Sequence, residues 1–217
     1  MSKIITPYHI GEKVEGQGIY AGIWRPKGRD DVSLGKVFNL FAAKQDSKGT
    51  ATYNATIEKL AHLKNYDGYN GAQFTNDSEL LNAIKDDKYN SEWFIPTKDI
   101  LLASSLLGAA EITMSHGTLY DLRNQGSFKS TFRTQKDSEN HIDMYWSSTS
   151  PSAGKSPLLF FTADFNDESG HSLSRRNSIE ISSRLVRAAE ITPATIALQY
   201  ITLQKPLKLK PPVRFKS

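Results

Sequence analysis

Tyr145-Trp146-Ser147-Ser148-Thr149 and the earlier run Trp93-Phe94-Ile95-Pro96-Thr97 decide how the chain is read. Each sets a tryptophan beside a second aromatic residue and follows it closely with hydroxyl side chains. Tryptophan is the largest apolar body available and carries one N–H to satisfy. A pair of such runs therefore reads as two elements fixed in one core rather than as ligand contacts. Within the first run, Phe94 and Ile95 are strand-like and Pro96 ends the extended segment. Thr97 can then cap a helix over 98–107 that carries Ile100, Leu101, Leu102, Leu106 and Leu107. The second run reads as a strand. Trp93, Pro96, Thr97, Tyr145, Trp146, Ser147 and Ser148 are accordingly expected to be structural anchors.

Upstream, Gln17-Gly18-Ile19-Tyr20-Ala21-Gly22-Ile23-Trp24 reads as a strand whose glycines mark a bulge or a close backbone approach. Arg25–Asp31 is a polar turn and 37–43 a second strand, which predicts an opening hairpin. Gly16-x-Gly18 is not a phosphate loop, because no strand precedes it and no helix follows. The spacing of Ile57, Leu60, Ala61 and Leu63 predicts an amphipathic helix over 52–64, with His62 alone on it, and Asn76-Asp77-Ser78 offers N-caps for a short helix through Ile84.

Residues 115–143 are polar and poor in aliphatics. A stretch this long without evident structure is either a solvated loop or a binding insertion, which makes Phe128, Phe132 and Arg133 candidate partner contacts. After a loop at 151–157, residues 158–165 form the strongest strand pattern and 166–170 a hairpin turn. Read as a calcium loop, that turn fails, since Ser169 stands where the sharp turn needs glycine and Arg175 where a bidentate glutamate is needed. Ile179–Ala189 reads as the closing strand, with Arg184 and Arg187 as further structural anchors at the end of the sheet.

The 217 residues are 38% hydrophobic and 23% charged, a globular composition that fits one large domain or one domain plus an appendage. No run approaches the roughly 18 apolar residues of a membrane span, and Met1–Pro7 has no apolar segment of the secretory type. The absence of cysteine excludes disulfides, thiolate metal sites and cysteine nucleophiles. His116 and His141 stand apart from any metal-binding spacing. No nucleophile–base set or acid–base pair is readable, so neither an enzyme nor a cofactor is expected. The formal charge of +4 is concentrated after residue 204, where Lys205, Lys208, Lys210, Arg214 and Lys216 occur with no acid. Alternating Leu207, Leu209, Val213 and Phe215 with three prolines cannot build a core, and suit docking on another protein surface better than nucleic acid or membrane.

The glycine-flanked strand at 18–22, Trp93-Phe94-Ile95-Pro96-Thr97-Lys98-Asp99-Ile100-Leu101, Tyr145-Trp146-Ser147-Ser148-Thr149 and Arg184-Leu185-Val186-Arg187 occur in an order that resembles the DUF1566 family over roughly residues 12–190. The resemblance implies an α+β, C-type-lectin-like fold related to formylglycine-generating enzymes: a twisted antiparallel sheet, two main helices and long loops. It would be preceded by a lead at 1–11 and followed by an extended tail at 191–217. The cysteines of formylglycine generation and the calcium-and-sugar motifs of C-type lectins are absent, so neither activity carries over. The expectation is a non-enzymatic bacteriophage virion protein, displayed on the tail for receptor binding or on the capsid as decoration. It would form a homo-oligomer within the particle and contact other virion proteins through its terminal segments, with a host surface glycan or protein as a further ligand. The alternative is a bacterial ligand-binding or adhesion module acting through the loops.

Overall fold

A computed structural model describes residues 8–26, 35–47, 50–56, 93–102, 114–134, 143–149, 159–165, 171–176 and 178–192. Residues 53–56 are helical, where the helix over 52–64 was expected to begin. Its remainder at 57–64, the short helix through Ile84, the end of the helix at 103–107, the turn at 166–170 and the tail cations Lys205, Lys208, Lys210, Arg214 and Lys216 lie outside the described residues.

The strands are β1 (Lys13–Val14), β2 (Gly18–Trp24), β3 (Phe38–Ala42), β4 (Trp93–Phe94), β5 (Met144–Trp146), β6 (Leu159–Asp164), β7 (His171–Arg176) and β8 (Val186–Glu190). One antiparallel sheet runs in the order β1-β2-β3-β8-β4 and a second in the order β5-β6-β7. The opening hairpin β2–β3 is as the sequence predicts. Its register slips between Tyr20 and Gly22, where Gly22 takes a φ of 113°, so the second glycine marks a bulge. At Gly18, with a φ of 110°, a Cβ would stand 2.4 Å from the Ala42 carbonyl oxygen, and no side chain fits.

Period-two alternation divides the large sheet into two faces. Ala21, Leu40, Ala42, Val186, Ala188 and Phe94 join one buried cluster, which also takes in Leu101, Leu119, Phe128 and Phe165. Trp93, on the opposite face, joins Trp146, Tyr53, Ile95 and Ile181 in a second cluster. The small sheet is tied to the closing segment by a parallel bridge. There the Trp146 N–H donates to the Ser182 carbonyl at 3.1 Å and the Ser182 N–H to the Met144 carbonyl at 3.0 Å.

The two tryptophan runs are bonded to each other. Pro96 ends β4, and α1 (Lys98–Leu101) begins at once. Thr97 has the extended backbone of an N-cap, but its side chain makes no capping bond and its Oγ1 is buried without a partner. The cap comes from 51 positions along the chain, where Thr149 Oγ1 accepts the Lys98 N–H at 3.0 Å. Beside it the Ser148 N–H donates to the Pro96 carbonyl at 2.9 Å. The expectation that Thr97 caps the helix is thereby corrected: the hydroxyl of the second run does so.

Residues 114–134 are structured rather than a solvated excursion. They hold α2 (Leu119–Leu122), started by a reciprocal Thr118–Asp121 capping box, and a 3-10 turn at Gly126–Phe128. Gly11 and Gly126 pack backbone to backbone, with a φ of 78° and 49°, and a Cβ on either would meet the other's Cα within 3 Å. Phe128 is 0% exposed and Phe132 8%. Their candidacy as partner contacts is withdrawn, because both rings are core. The segment looked polar only because its apolar residues are spaced for one-sided burial between surface positions. The closing strand is also shorter than predicted: Ile181 and Ser182 bridge to residues 51 and 145, and the ladder proper is Val186–Glu190. The architecture is α+β, with a mostly antiparallel sheet and short helices.

Candidate functional site

Arg184 was expected at the end of the sheet, but it lies just before β8 with 0% of its side chain exposed. Burying a guanidinium is tolerated only when its charge is paired and its donors are filled. Asp46 supplies the charge: Nε donates to its Oδ1 at 2.7 Å, and Nη2 lies 2.6 Å from the same oxygen. Nη1 donates to the Ala43 carbonyl at 3.0 Å and to Thr131 Oγ1 at 3.2 Å, and Nη2 also donates to the Thr131 carbonyl. The guanidinium carbon sits 4.0 Å above the centre of the Phe132 ring, a stacked cation–π contact.

Tyr145 closes the network from the other side. Its hydroxyl donates to Asp46 Oδ2 at 2.7 Å and accepts the Arg133 N–H at 2.7 Å. Burial, reinforced by the neighbouring Asp46 carboxylate, pushes the phenol well above its ordinary pKa and keeps it a neutral donor. Asp46 therefore ties together 43–47, 131–133, β5 and the approach to β8. The arrangement is a brace whose phenol stays protonated. Arg133 stays at its mouth, 36% exposed, with Nε 3.8 Å from Asp46 and Nη1 3.4 Å from Ser182 Oγ. Of the three loop candidates it alone keeps an outward-facing polar group.

Arg187 belongs to a different environment. It stands in register with Phe41 on one side and Trp93 on the other, inside the sheet rather than at its end. Its Nη1 donates to the Gly16 carbonyl at 2.9 Å, and its Nε is buried without a hydrogen-bond partner. Trp93 Nε1 and Gln17 Oε1 are buried and unpartnered too. Trp146, by contrast, donates its indole N–H to the Ala51 carbonyl at 2.9 Å. Burial lowers the Arg187 pKa.

One nucleophile-type contact, not anticipated from the sequence, lies on the Gly22 bulge. Ser115 Oγ accepts the Ile23 N–H at 3.0 Å and lies 2.5 Å from His116 Nδ1. Both side chains are exposed, and no third group orients the imidazole among the described residues, so the bond seats Ser115 in the ladder rather than activating it. Among the described residues no group of three His, Asp or Glu is placed to hold a metal ion, and no helix is long and apolar enough to cross a membrane. Comparison with protein-family models, with curated proteins and with solved structures finds no match to this chain.

Proposed function

We propose that the chain is a non-enzymatic structural protein of a bacteriophage particle, with a C-type-lectin-like domain displayed on the tail for receptor binding or on the capsid as decoration. Its terminal segments, the basic tail above all, fasten it to other virion subunits. The order of the four sequence motifs supports this reading. The observation that carries it is the Arg184–Asp46–Tyr145 brace: a buried, charged cluster is consumed in fixing loops to the sheet, as suits a display scaffold rather than a catalyst. A lectin-like module holds its loops on a rigid sheet, and both tryptophan runs serve that rigidity here through the Thr149–Lys98 cap. Mass spectrometry of purified particles is the test. The chain should be recovered in stoichiometric amount with other virion proteins and survive density-gradient purification. Particles assembled without it and never containing it would overturn the proposal.

A further inference from the structure

We propose that the Gly16–Gly18 turn, Trp93 and Arg187 form a binding site for a small carboxylate that carries a neighbouring hydroxyl. The pieces are held together by the fold. Trp93 and Arg187 are direct cross-strand neighbours, Arg187 Nη1 is bonded to the Gly16 carbonyl at 2.9 Å, and Trp93 Cη2 lies 3.0 Å from where a Gly18 Cβ would be. Gln17 sits between the two glycines. Trp93 Nε1, Arg187 Nε and Gln17 Oε1, on residues that these contacts bring together, are each buried without a partner.

Unsatisfied buried polar atoms are rare, because each costs on the order of 1–3 kcal/mol when left so. The ring of Trp93 is 1% exposed and seated against the turn backbone. The guanidinium is anchored at Nη1, which fixes the direction of its Nε–H. Gly16 is exposed and Gln17 and Arg187 are half-buried, so a ligand would approach from the turn. A single water could accept from both donors and donate to Gln17. It would leave the arginine charge uncompensated, since no carboxylate pairs with Arg187 among the described residues. An anionic oxygen meets both N–H groups and the charge, and a hydroxyl beside it meets Gln17 Oε1. The partly desolvated cation gains most from an anion, in keeping with its lowered pKa.

The site stands apart from the virion reading, and failure of one leaves the other intact. The chemistry fits either a free hydroxy acid or the uronic acid of a glycan, and two probes separate them. Sodium lactate and sodium glucuronate are titrated into the full-length chain while the tryptophan indole N–H signals are followed by NMR, with glucose, acetate and sodium chloride at matched ionic strength alongside. The Trp93 signal, identified by its loss in Trp93→Phe, should move saturably with lactate or glucuronate and remain still with glucose and chloride. Response to lactate alone assigns a free hydroxy acid, and response to glucuronate assigns a sugar acid. Read on the Gln17 backbone amide, Arg187→Gln and Trp93→Phe should each weaken binding at least about tenfold, the loss expected for one hydrogen bond to a charged group. Gln17→Leu should bring lactate down to the affinity of acetate. Unchanged Trp24 and Trp146 signals show that each variant is folded. A Trp93 signal unmoved by either carboxylate at about 100 mM, far above a millimolar dissociation constant, overturns the site and leaves it to water. So does an equal shift with chloride, or wild-type affinity in folded Arg187→Gln.

Discussion

Arg184 and Arg187 are three residues apart in one segment and have opposite surroundings. Arg184 is fully buried, paired with Asp46 and bonded through all three nitrogens. Arg187 is half-exposed, uses one nitrogen on the Gly16 carbonyl and leaves Nε unmatched. The same side chain is a brace in one place and an open donor in the other. The difference lies in what the chain brings to it: the 43–47 and 131–133 segments converge on Arg184, whereas Arg187 faces a glycine turn with few polar atoms to give. A satisfied buried charge is structural, and a buried donor left unmatched on an arginine is where the proposed ligand would bind.

The largest test of that contrast is Arg184→Ala, which strands Asp46 and should destabilise the fold by about 3–5 kcal/mol in denaturant titration. A loss under 1 kcal/mol, a small change for a buried pair, would mean that the brace is not load-sharing. Tyr145→Phe comes next. It leaves the Arg133 N–H and one Asp46 oxygen without their bonds, at about 1–3 kcal/mol. It also changes the alkaline limb. Because the folded phenol titrates above its unfolded value of about 10, its contribution is complete below that pH and is lost as pH rises beyond it. The slope there can reach about 1.4 kcal/mol per pH unit. Wild type should lose stability above roughly pH 10 more steeply than Tyr145→Phe, and equal slopes would show that the phenol is free to ionise. Third, Thr149→Ala removes the cap on α1 and should cost about 1 kcal/mol, whereas Thr97→Ala, which removes an unpartnered hydroxyl, should cost only a few tenths. The reverse ranking would return the cap to Thr97. The smallest effect belongs to Arg187→Met, expected within about 0.5 kcal/mol of wild type in thermal unfolding, since no ion pair is broken.

The strands at 18–24, 38–42, 144–146 and 159–164 and the proline joint at residue 96 were legible because aromatic and β-branched runs and a single breaker act locally. The α+β class was the expectation that the family resemblance implied. Arg184 was not legible as a buried residue, since its partners lie at Asp46 and Thr131, 138 and 53 positions away, and nothing local distinguishes it from Arg187. Phe128 and Phe132 were misjudged for a related reason. Their burial depends on the Gly11–Gly126 contact and on the stack with Arg184, both made by distant segments. Strand 171–176 is polar in sequence and shows itself only through its ladder with β6. Of the carboxylate site, Trp93 and Arg187 were noted as anchors and Gln17 as part of a strand. That their polar atoms go unmatched is a property of packing, with no trace in composition.

The position of β8 has a consequence for how the molecule comes together. It is the last described strand in the chain, yet it lies between β3 and β4 in the sheet. Until residues 186–190 emerge during synthesis, β3 is paired only with β2, β4 has no described ladder to join, and the Arg187 contacts cannot form. Closure over such long sequence separations is slow compared with local hairpin formation. Without β8, the edge of β3 opposite β2 is unpaired. An unpaired strand edge of this kind favours misassociation between copies, and pairing with β8 removes it.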